Sequence, residues 1–261
     1  MQKLQKRNST RLNTVKSALL VILGTGSLLA PPAQAGRFIS LMEAETFAPG
    51  LGEVVLVGNW QREKIGESEM SATNIQLGME FGLGSRFHVG MALPAFSNLR
   101  GTDHRTTKLE GTSLWGIYNF SRPTRTSFGI SGSVGVIECD ENITSEIHLI
   151  LEKPWKTFVT VMNLTLGRAW MRDTSEDDHK FFAGRLGLSK DLGRSVSLAV
   201  EGEYCLSFHG DIDHHMDEKR IGSSLMWSGE KVWVLSGLLF DLNPQSSVQG
   251  PALQFQTGIP F

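Results

Sequence analysis

The feature that most constrains this chain is a two-residue alternation of side chains that recurs along most of its length. It is clearest in residues 251–261, where one face carries bulky side chains at Leu253, Phe255, Ile259 and Phe261. The opposite face carries only small or polar residues, such as Gln254 and Gln256. A period of two is that of a β-strand with one apolar and one polar side. The segment is therefore predicted to be an amphipathic strand.

This strand ends on an aromatic residue, Phe261. A soluble sheet would rarely leave an amphipathic strand with a bare aromatic at its last position, although an ordinary edge strand is the alternative. The ending resembles the signal by which bacterial barrel-assembly machinery recognises outer-membrane barrels. We therefore expect Phe261 to be an assembly signal and that machinery to be a partner of the chain.

Eleven further segments repeat the alternation, which gives twelve candidate strands. They cover residues 53–62, 75–81, 86–93, 112–120, 127–137, 145–152, 158–170, 181–189, 196–209, 220–227, 231–241 and 252–261. Long polar loops, such as 63–69 and 97–110, follow odd-numbered strands, and short turns follow even-numbered ones. Strands of roughly ten residues match a tilted crossing of the hydrocarbon layer.

Short turns alternating with longer loops on an even number of strands are typical of a transmembrane barrel. The fold class predicted for residues 52–261 is therefore all-β, a transmembrane antiparallel up-and-down β-barrel of twelve strands. The location predicted is the outer membrane of a Gram-negative bacterium, with lipid around the barrel. A secreted sandwich could share the strand count, but it would pack its apolar faces inward.

The first 35 residues have the organisation of a cleaved signal peptide. Five basic residues precede an uncharged run, 17–30, and Ala33-Gln34-Ala35 supplies the small-x-small cleavage pattern. An uncleaved helical span is disfavoured, because the run is shorter than the roughly 20 residues required. Residues 36–51 are irregular and are predicted to be a periplasmic lead-in or a segment tucked into the barrel.

Charge excludes one class of partner. The chain has 25 Lys and Arg against 27 Asp and Glu. Removing the five basic residues of the leader leaves 20 against 27, a net charge of −7. A negative chain has no general electrostatic attraction to nucleic acid.

If the apolar rows meet lipid, the opposite rows line the lumen. The lumen-lining candidates on those rows are Gln76, Glu80, Arg86, His88, Glu146, His148, Glu152, Arg185, Glu201, Glu203, Gln254 and Gln256. Charges in a confined wet interior can select solutes or can pair into a plug. They can equally be solvated wall residues. Glu201 and Glu203, on one face of one strand, are the best candidates for a functional acidic patch.

The sequence predicts no enzyme, no cofactor and no metal site. His148 has no nearby motif that presents an activated serine, and no nucleophile elbow is present. The run Asp211 to His215 contains metal-binding side chains, but its spacing does not match a structural zinc site. Cys139 and Cys205 are the only cysteines, and export would permit a disulfide. Their strands are too far apart in a barrel for a direct bridge unless a loop folds inward.

Two stretches resemble a family of outer-membrane barrels associated with the phenol meta-degradation pathway and treated as transporters. The first is Glu43-Ala44-Glu45-Thr46 with Pro49-Gly50-Leu51-Gly52-Glu53, which looks like that family's entry into its first strand. The second is Gly84 to Gly90 with Leu93-Pro94, followed by a strand at Gly111 to Tyr118. The family's usual acidic-Pro pair after the threonine is absent. The resemblance implies a solute channel for small, poorly polar compounds and supplies no binding residues.

The function predicted is a channel or transporter that passes a small solute through a narrow barrel lumen. The first alternative is a non-conducting structural or adhesion barrel that acts through its extracellular loops. A membrane-embedded hydrolase is the second alternative.

Overall fold

A computed structural model describes residues 37–38, 40–44, 46–65, 68–101, 105–139, 142–171, 179–209, 215–243 and 248–261. All regular structure in this part of the chain is β-strand. None of it forms a helix with the length and apolarity that a membrane crossing requires. The predicted signal peptide, 1–35, lies outside the described residues and stays a prediction.

Fourteen β segments run in chain order. They are β1 (Gly52–Ile65), β2 (Ser68–Gly82), β3 (Phe87–Ala92), β4 (Ala95–Arg100), β5 (Arg105–Glu110), β6 (Thr112–Ser121), β7 (Gly129–Glu138), β8 (Asn142–Pro154), β9 (Val159–Met171), β10 (His179–Asp191), β11 (Val196–His209), β12 (His215–Ser228), β13 (Trp233–Asp241) and β14 (Val248–Pro260).

The segments close into a barrel of twelve wall strands, which confirms the predicted fold. Every pairing is antiparallel, and β1 pairs with both β2 and β14. Two wall strands consist of two segments each. β3 and β4 both pair with β2, and their partners on the other side are β6 and β5. The first break falls at Leu93-Pro94 and the second at Gly111, whose φ of 68° favours glycine.

One predicted loop is largely regular structure. Residues 97–110 were expected to be a long polar loop, but β4 and β5 form a hairpin there, with Ala95 opposite Glu110. Likewise β1 continues to Ile65, beyond its predicted end. The physical reason is that alternating hydrophobicity marks only the part of a strand that meets lipid. Backbone pairing continues beyond the membrane, where both faces can be polar.

Burial along the wall is the reverse of that in a soluble domain. On β7, Ser131 and Ser133 are buried, whereas Val134 is 60% exposed. On β10, Leu186 is 60% exposed and its neighbour Gly187 faces the interior. Large apolar side chains on the outside of a closed barrel form the surface that meets lipid. The outward direction of these rows excludes the sandwich alternative.

The tryptophans divide between the two faces. Trp155, Trp170 and Trp227 are exposed near strand ends, as expected for aromatic girdles. Trp115 and Trp233 instead point into the barrel. These two inward rings take part in the site described below.

Candidate functional site

The segment between Arg37 and Leu51 is called here the lead-in, and its described residues 37–38, 40–44 and 46–47 lie inside the barrel. Its side chains Phe38, Leu41 and Ala44 are buried. They pack against inward residues of four wall segments: Ile117, Ile150, Val159, Val161 and Ala199. The contacts fall near the end of the barrel that holds the short turns and Phe261, called here the turn end. The lead-in therefore crosses the lumen as a plug at the turn end.

Wall side chains form hydrogen bonds with the backbone of the lead-in, in place of the bonds that a neighbouring strand would make. Glu201 Oε2 accepts hydrogen bonds from both the N–H of Ser40, at 2.9 Å, and its hydroxyl. Asn163 binds Met42 twice: its Oδ1 accepts from the Met42 N–H at 2.7 Å, and its Nδ2 donates to the Met42 carbonyl at 2.9 Å. A buried peptide group needs such partners, because leaving it unpaired costs free energy.

Ala44 is held from three wall segments. Its N–H donates to Glu152 Oε2 at 2.9 Å. Its carbonyl accepts from Asn119 Nδ2 and from the Ser131 hydroxyl, the latter at 2.7 Å. These partners lie on β8, β6 and β7, so they fix the lead-in in position across the lumen.

A glycine makes room for the apolar side chains of the lead-in. A Cβ built at Gly187 would collide with the side chains of Phe38 and Leu41. The wall at β10 is therefore shaped to receive the plug. A larger residue at Gly187 could be accommodated only if the lead-in moved.

A cavity of about 430 Å³ remains in the lumen beside the lead-in. Its wall is formed by β1, β2, β3, β6, β7 and β8, with one residue each from β13 and β14. Val55, Val57 and Ile117 give it apolar surface, and Phe47 of the lead-in closes part of it. Its volume is that of a pocket for a small organic molecule.

Two carboxylates face each other in this cavity. Glu53 on β1 and Glu80 on β2 are direct cross-strand partners, and both line the cavity. Trp233 Nε1 donates to Glu53 Oε2 at 2.8 Å. His88 Nε2 lies 3.8 Å from Glu80 Oε2. Like charges directly opposite one another destabilise a sheet, so this pair needs a reason to be present.

Glycines allow the two inward tryptophans to lie flat on the wall. A Cβ at Gly90 would collide with the Trp115 ring, and one at Gly258 would collide with the Trp233 ring. Both indoles border the cavity. The ring faces are thereby fixed at the inner surface beside the paired carboxylates.

Polar contacts of His148 and Arg185 lie on the opposite side of the lumen. His148 Nε2 is 3.0 Å from Glu146 Oε2, and its Nδ1 is 2.9 Å from Thr165 Oγ1. Arg185 Nη2 pairs with Glu203 Oε1 at 2.8 Å. A hydroxyl, an imidazole and a carboxylate in sequence suggest nucleophilic catalysis. Thr165 is only 1% exposed and does not line the cavity, so its hydroxyl is not presented to a substrate.

The structure places most of the lumen-lining candidates on the inner surface. The candidates that line the cavity are Gln76, Glu80, His88, Glu146, His148 and Gln256. Glu152 and Glu201 hold the lead-in, and Arg185 pairs with Glu203. Gln254 shares the inward face of β14 with the buried Ala252.

Arg86 and the acidic patch differ from expectation. Arg86 lies in the turn before β3 and is exposed, because the N–H groups of Leu83 and Gly84 both bond the Phe87 carbonyl and the strand begins only there. Glu201 and Glu203 share one face, but they do not form an open acidic patch. Glu201 binds Ser40, and Glu203 binds Arg185.

Sequence reasoning missed several residues of the site. Asn119 and Asn163 occupy inward positions of recognised strands, so the alternation could have identified them as polar groups facing the lumen. Glu53 lies at the start of β1, and the alternation identified it only as the first residue of the predicted strand. The alternation places Trp115 on the same face as Asn119, but the residue type did not decide the direction of Trp115 and Trp233, since tryptophan suits a lipid boundary equally well.

Within the described ranges, no three His, Cys, Asp or Glu side chains are grouped so that they could hold a metal ion. The histidine-rich run at 211–215 falls almost entirely outside those ranges. Cys139 and Cys205 are thiols, with no disulfide between them. Cys139 follows β7, and Cys205 lies within β11.

Solved structures that share this architecture include outer-membrane proteins. An outer-membrane channel from Pseudomonas putida F1 is 10% identical and matches over 86% of this chain and 100% of its own, with a TM-score of 0.70. The NanC porin is 7% identical over 80% of this chain and 98% of its own, with a TM-score of 0.54. The translocator domain of autotransporter NalP from Neisseria meningitidis is 13% identical over 84% and 90%, with a TM-score of 0.52. No protein-family model and no curated protein matches the sequence. The likeness establishes that this chain has the fold of outer-membrane β-barrels.

Proposed function

We propose that this protein is an outer-membrane channel that passes small solutes through its lumen, with the lead-in as a removable plug at the turn end. The observation that carries the proposal is the cavity of about 430 Å³ between the lead-in and the wall. A barrel that acts only through its extracellular loops does not require a space of this size. A solute would occupy the cavity on its way through the barrel.

The lining suits a small solute with an apolar body and a polar group. Val55, Val57 and Ile117 offer apolar contact, and Gln76 and Gln256 offer hydrogen bonds. Small-molecule sites typically combine apolar surface with placed polar groups. The apolar part of this lining agrees with the small, poorly polar compounds that the family resemblance implies, and the glutamates of the lining would admit a solute that also carries a polar or charged group.

The plug is held by contacts that can be exchanged. Its backbone N–H groups donate hydrogen bonds to the wall side chains of Asn163, Glu152 and Glu201. Each such bond contributes a net ~1 kcal/mol with a neutral partner and roughly 1.5–3 kcal/mol with a carboxylate, because water can replace either partner. The lead-in is therefore held less strongly than a wall strand, and it could leave the lumen while the barrel stays folded. By the usual topology of such barrels, the turn end faces the periplasm.

Single-channel recording in planar bilayers tests the proposal. Gly187→Val displaces Phe38 and Leu41 and is expected to raise the conductance or the open time above that of the unmodified chain. The matched control is Gly202→Val, because a Cβ at Gly202 meets only the Arg220 carbonyl, at 3.9 Å. The control should conduct like the unmodified protein. Absence of current from both the unmodified chain and Gly187→Val would refute the channel.

A further inference from the structure

The paired carboxylates of the cavity lack a counter-charge. Among the described residues that line the cavity are Glu43, Glu53, Glu80 and Glu146, but no lysine or arginine. Glu43 pairs with Arg37, and Glu146 pairs with His148. Glu53 and Glu80 remain opposite each other across the β1–β2 ladder, with His88 as the nearest basic group.

His88 supplies a second and independent observation. Its side chain is only 5% exposed, and it lines the cavity. Neither of its ring nitrogens has a hydrogen-bond partner within the described ranges. A buried polar group without a partner is costly and needs an explanation, such as an absent ligand. His88 therefore points to a group that would occupy the space next to Glu80.

The aromatic residues restrict the kind of group that fits. Trp115 and Trp233 border the cavity, and the Phe47 ring lies against His88 with ring centroids 5.6 Å apart. A cation near the face of an indole or phenyl ring is attracted by its quadrupole. An ammonium group placed between Glu53 and Glu80 would also remove the repulsion of two facing carboxylates. A carboxylate or phosphate ligand would add to that repulsion.

We propose that the cavity binds a small organic cation, an amine with an apolar or aromatic body. Its ammonium group would lie between Glu53 and Glu80 and donate a hydrogen bond to His88. Its apolar body would lie against Trp115, Val55 and Val57. The inference deepens the proposed channel function by naming the class of solute, and it rests on that function only for the claim of passage.

Calorimetric titration of the full chain in detergent micelles tests the site. The probes are 2-phenylethylammonium chloride, the neutral 2-phenylethanol and the anion phenylacetate, which share one aromatic ring. The ammonium compound is expected to bind at least tenfold more tightly than the other two. Equal binding of all three by the folded protein would overturn the inference.

Matched substitutions locate the binding. Glu53→Gln combined with Glu80→Gln keeps hydrogen-bond acceptors at both positions but removes the charge, and it should abolish the preference for the ammonium probe. Glu230→Gln, in an exposed turn, makes the same chemical change away from the cavity and should keep that preference. An unchanged preference in the double variant would contradict the site.

A second pair of variants does not depend on removing the carboxylates. Val57→Lys places a tethered ammonium in the cavity and should weaken binding of the probe at least tenfold, whereas Val57→Met should not. Binding as tight in Val57→Lys as in the unmodified chain would also contradict the site. Heat-dependent mobility on SDS gels verifies that each variant is folded.

Bilayer recordings separate this inference from the proposed function. Conductance without any preference for the ammonium probe would refute the amine site and leave the channel standing. Tight ammonium binding in a barrel that never conducts would refute the channel and leave the site standing.

Discussion

The carboxylate of Glu201 on β11 holds Ser40 by both its backbone N–H and its hydroxyl, although the two residues are 161 positions apart. This contact joins the lead-in to the wall at a point where the lumen would otherwise be open. It is the polar counterpart of the packing of Phe38 and Leu41 on Gly187. The opening of the plug should therefore depend strongly on this one carboxylate.

Glu201→Ala is expected to release the lead-in more often. Hydrogen bonds to a charged group contribute roughly 1.5–3 kcal/mol, and a loss of about 2 kcal/mol corresponds to roughly thirty-fold more frequent opening. This opening is measured by the rate at which a thiol-reactive polymer labels the variant Met42→Cys. Cys139 and Cys205 are replaced by serine in that variant, so that only the new thiol reacts. Glu230→Ala should leave the labelling rate unchanged. Similar labelling rates for the two alanine variants would show that Glu201 does not restrain the plug.

The sequence predicts those parts of the structure that leave a local pattern of side chains, which are the wall strands and their two faces. The alternation between Ser131 or Ser133 and Val134 predicts both the strand and its two faces, because lipid contact imposes it residue by residue. The same rule places Gln76, Glu80 and Gln256 on the inner surface. The two-residue alternation therefore predicts both the wall strands and the residues that face the lumen.

The plug could not be predicted in the same way. The contacts of Ser40 with Glu201 and of Met42 with Asn163 join residues more than a hundred positions apart. The lead-in has no periodicity, because its backbone is satisfied by side chains instead of a ladder. The pairing of Glu53 with Glu80 likewise depends on the register of β1 against β2, which the faces of the two strands leave undetermined.

Trp233→Phe should destabilise the barrel, because it removes the N–H donor of an inward ring together with part of that ring. Trp233 is 2% exposed and donates to the buried Glu53 carboxylate. Leaving a buried acceptor without its donor costs about 1–3 kcal/mol. Urea unfolding of the protein in lipid vesicles measures the loss. Trp227→Phe, at a ring that is 46% exposed on the outer face, is the control and should change stability by less.

An arginine on the outer face should reduce the free energy of unfolding strongly only near the middle of a wall strand. Leu186 lies in the middle of β10 and is 60% exposed. Leu186→Arg is expected to reduce the free energy of unfolding from vesicles by about 2–4 kcal/mol, since a charge at the bilayer midplane loses its hydration. Leu192→Arg, in the turn after β10, should cost about 0–1 kcal/mol. Equal costs at the two positions would mean that the exposed apolar face does not meet lipid.

Phe261 joins the two strands that close the barrel. Its N–H donates to the Gly52 carbonyl at 2.9 Å, and its carbonyl accepts from the Gly52 N–H at 3.1 Å. Its ring lies edge-on to Phe81, with ring centroids 5.2 Å apart. Phe261→Ala keeps both backbone bonds but removes the ring that packs across β1 onto β2.

The Phe261 ring could act as an assembly signal or only by packing on Phe81. Comparing folding in cells with refolding into lipid vesicles separates these two roles. If the ring is read by the assembly machinery, Phe261→Ala should sharply lower the amount of heat-modifiable barrel in cell membranes, while refolding into vesicles stays nearly complete. If the ring acts only by packing on Phe81, Phe81→Ala should lower both yields to the same extent as Phe261→Ala. Comparable membrane levels of Phe261→Ala and the unmodified chain would contradict the assembly role, because a recognition signal must act before the seam between β1 and β14 has formed.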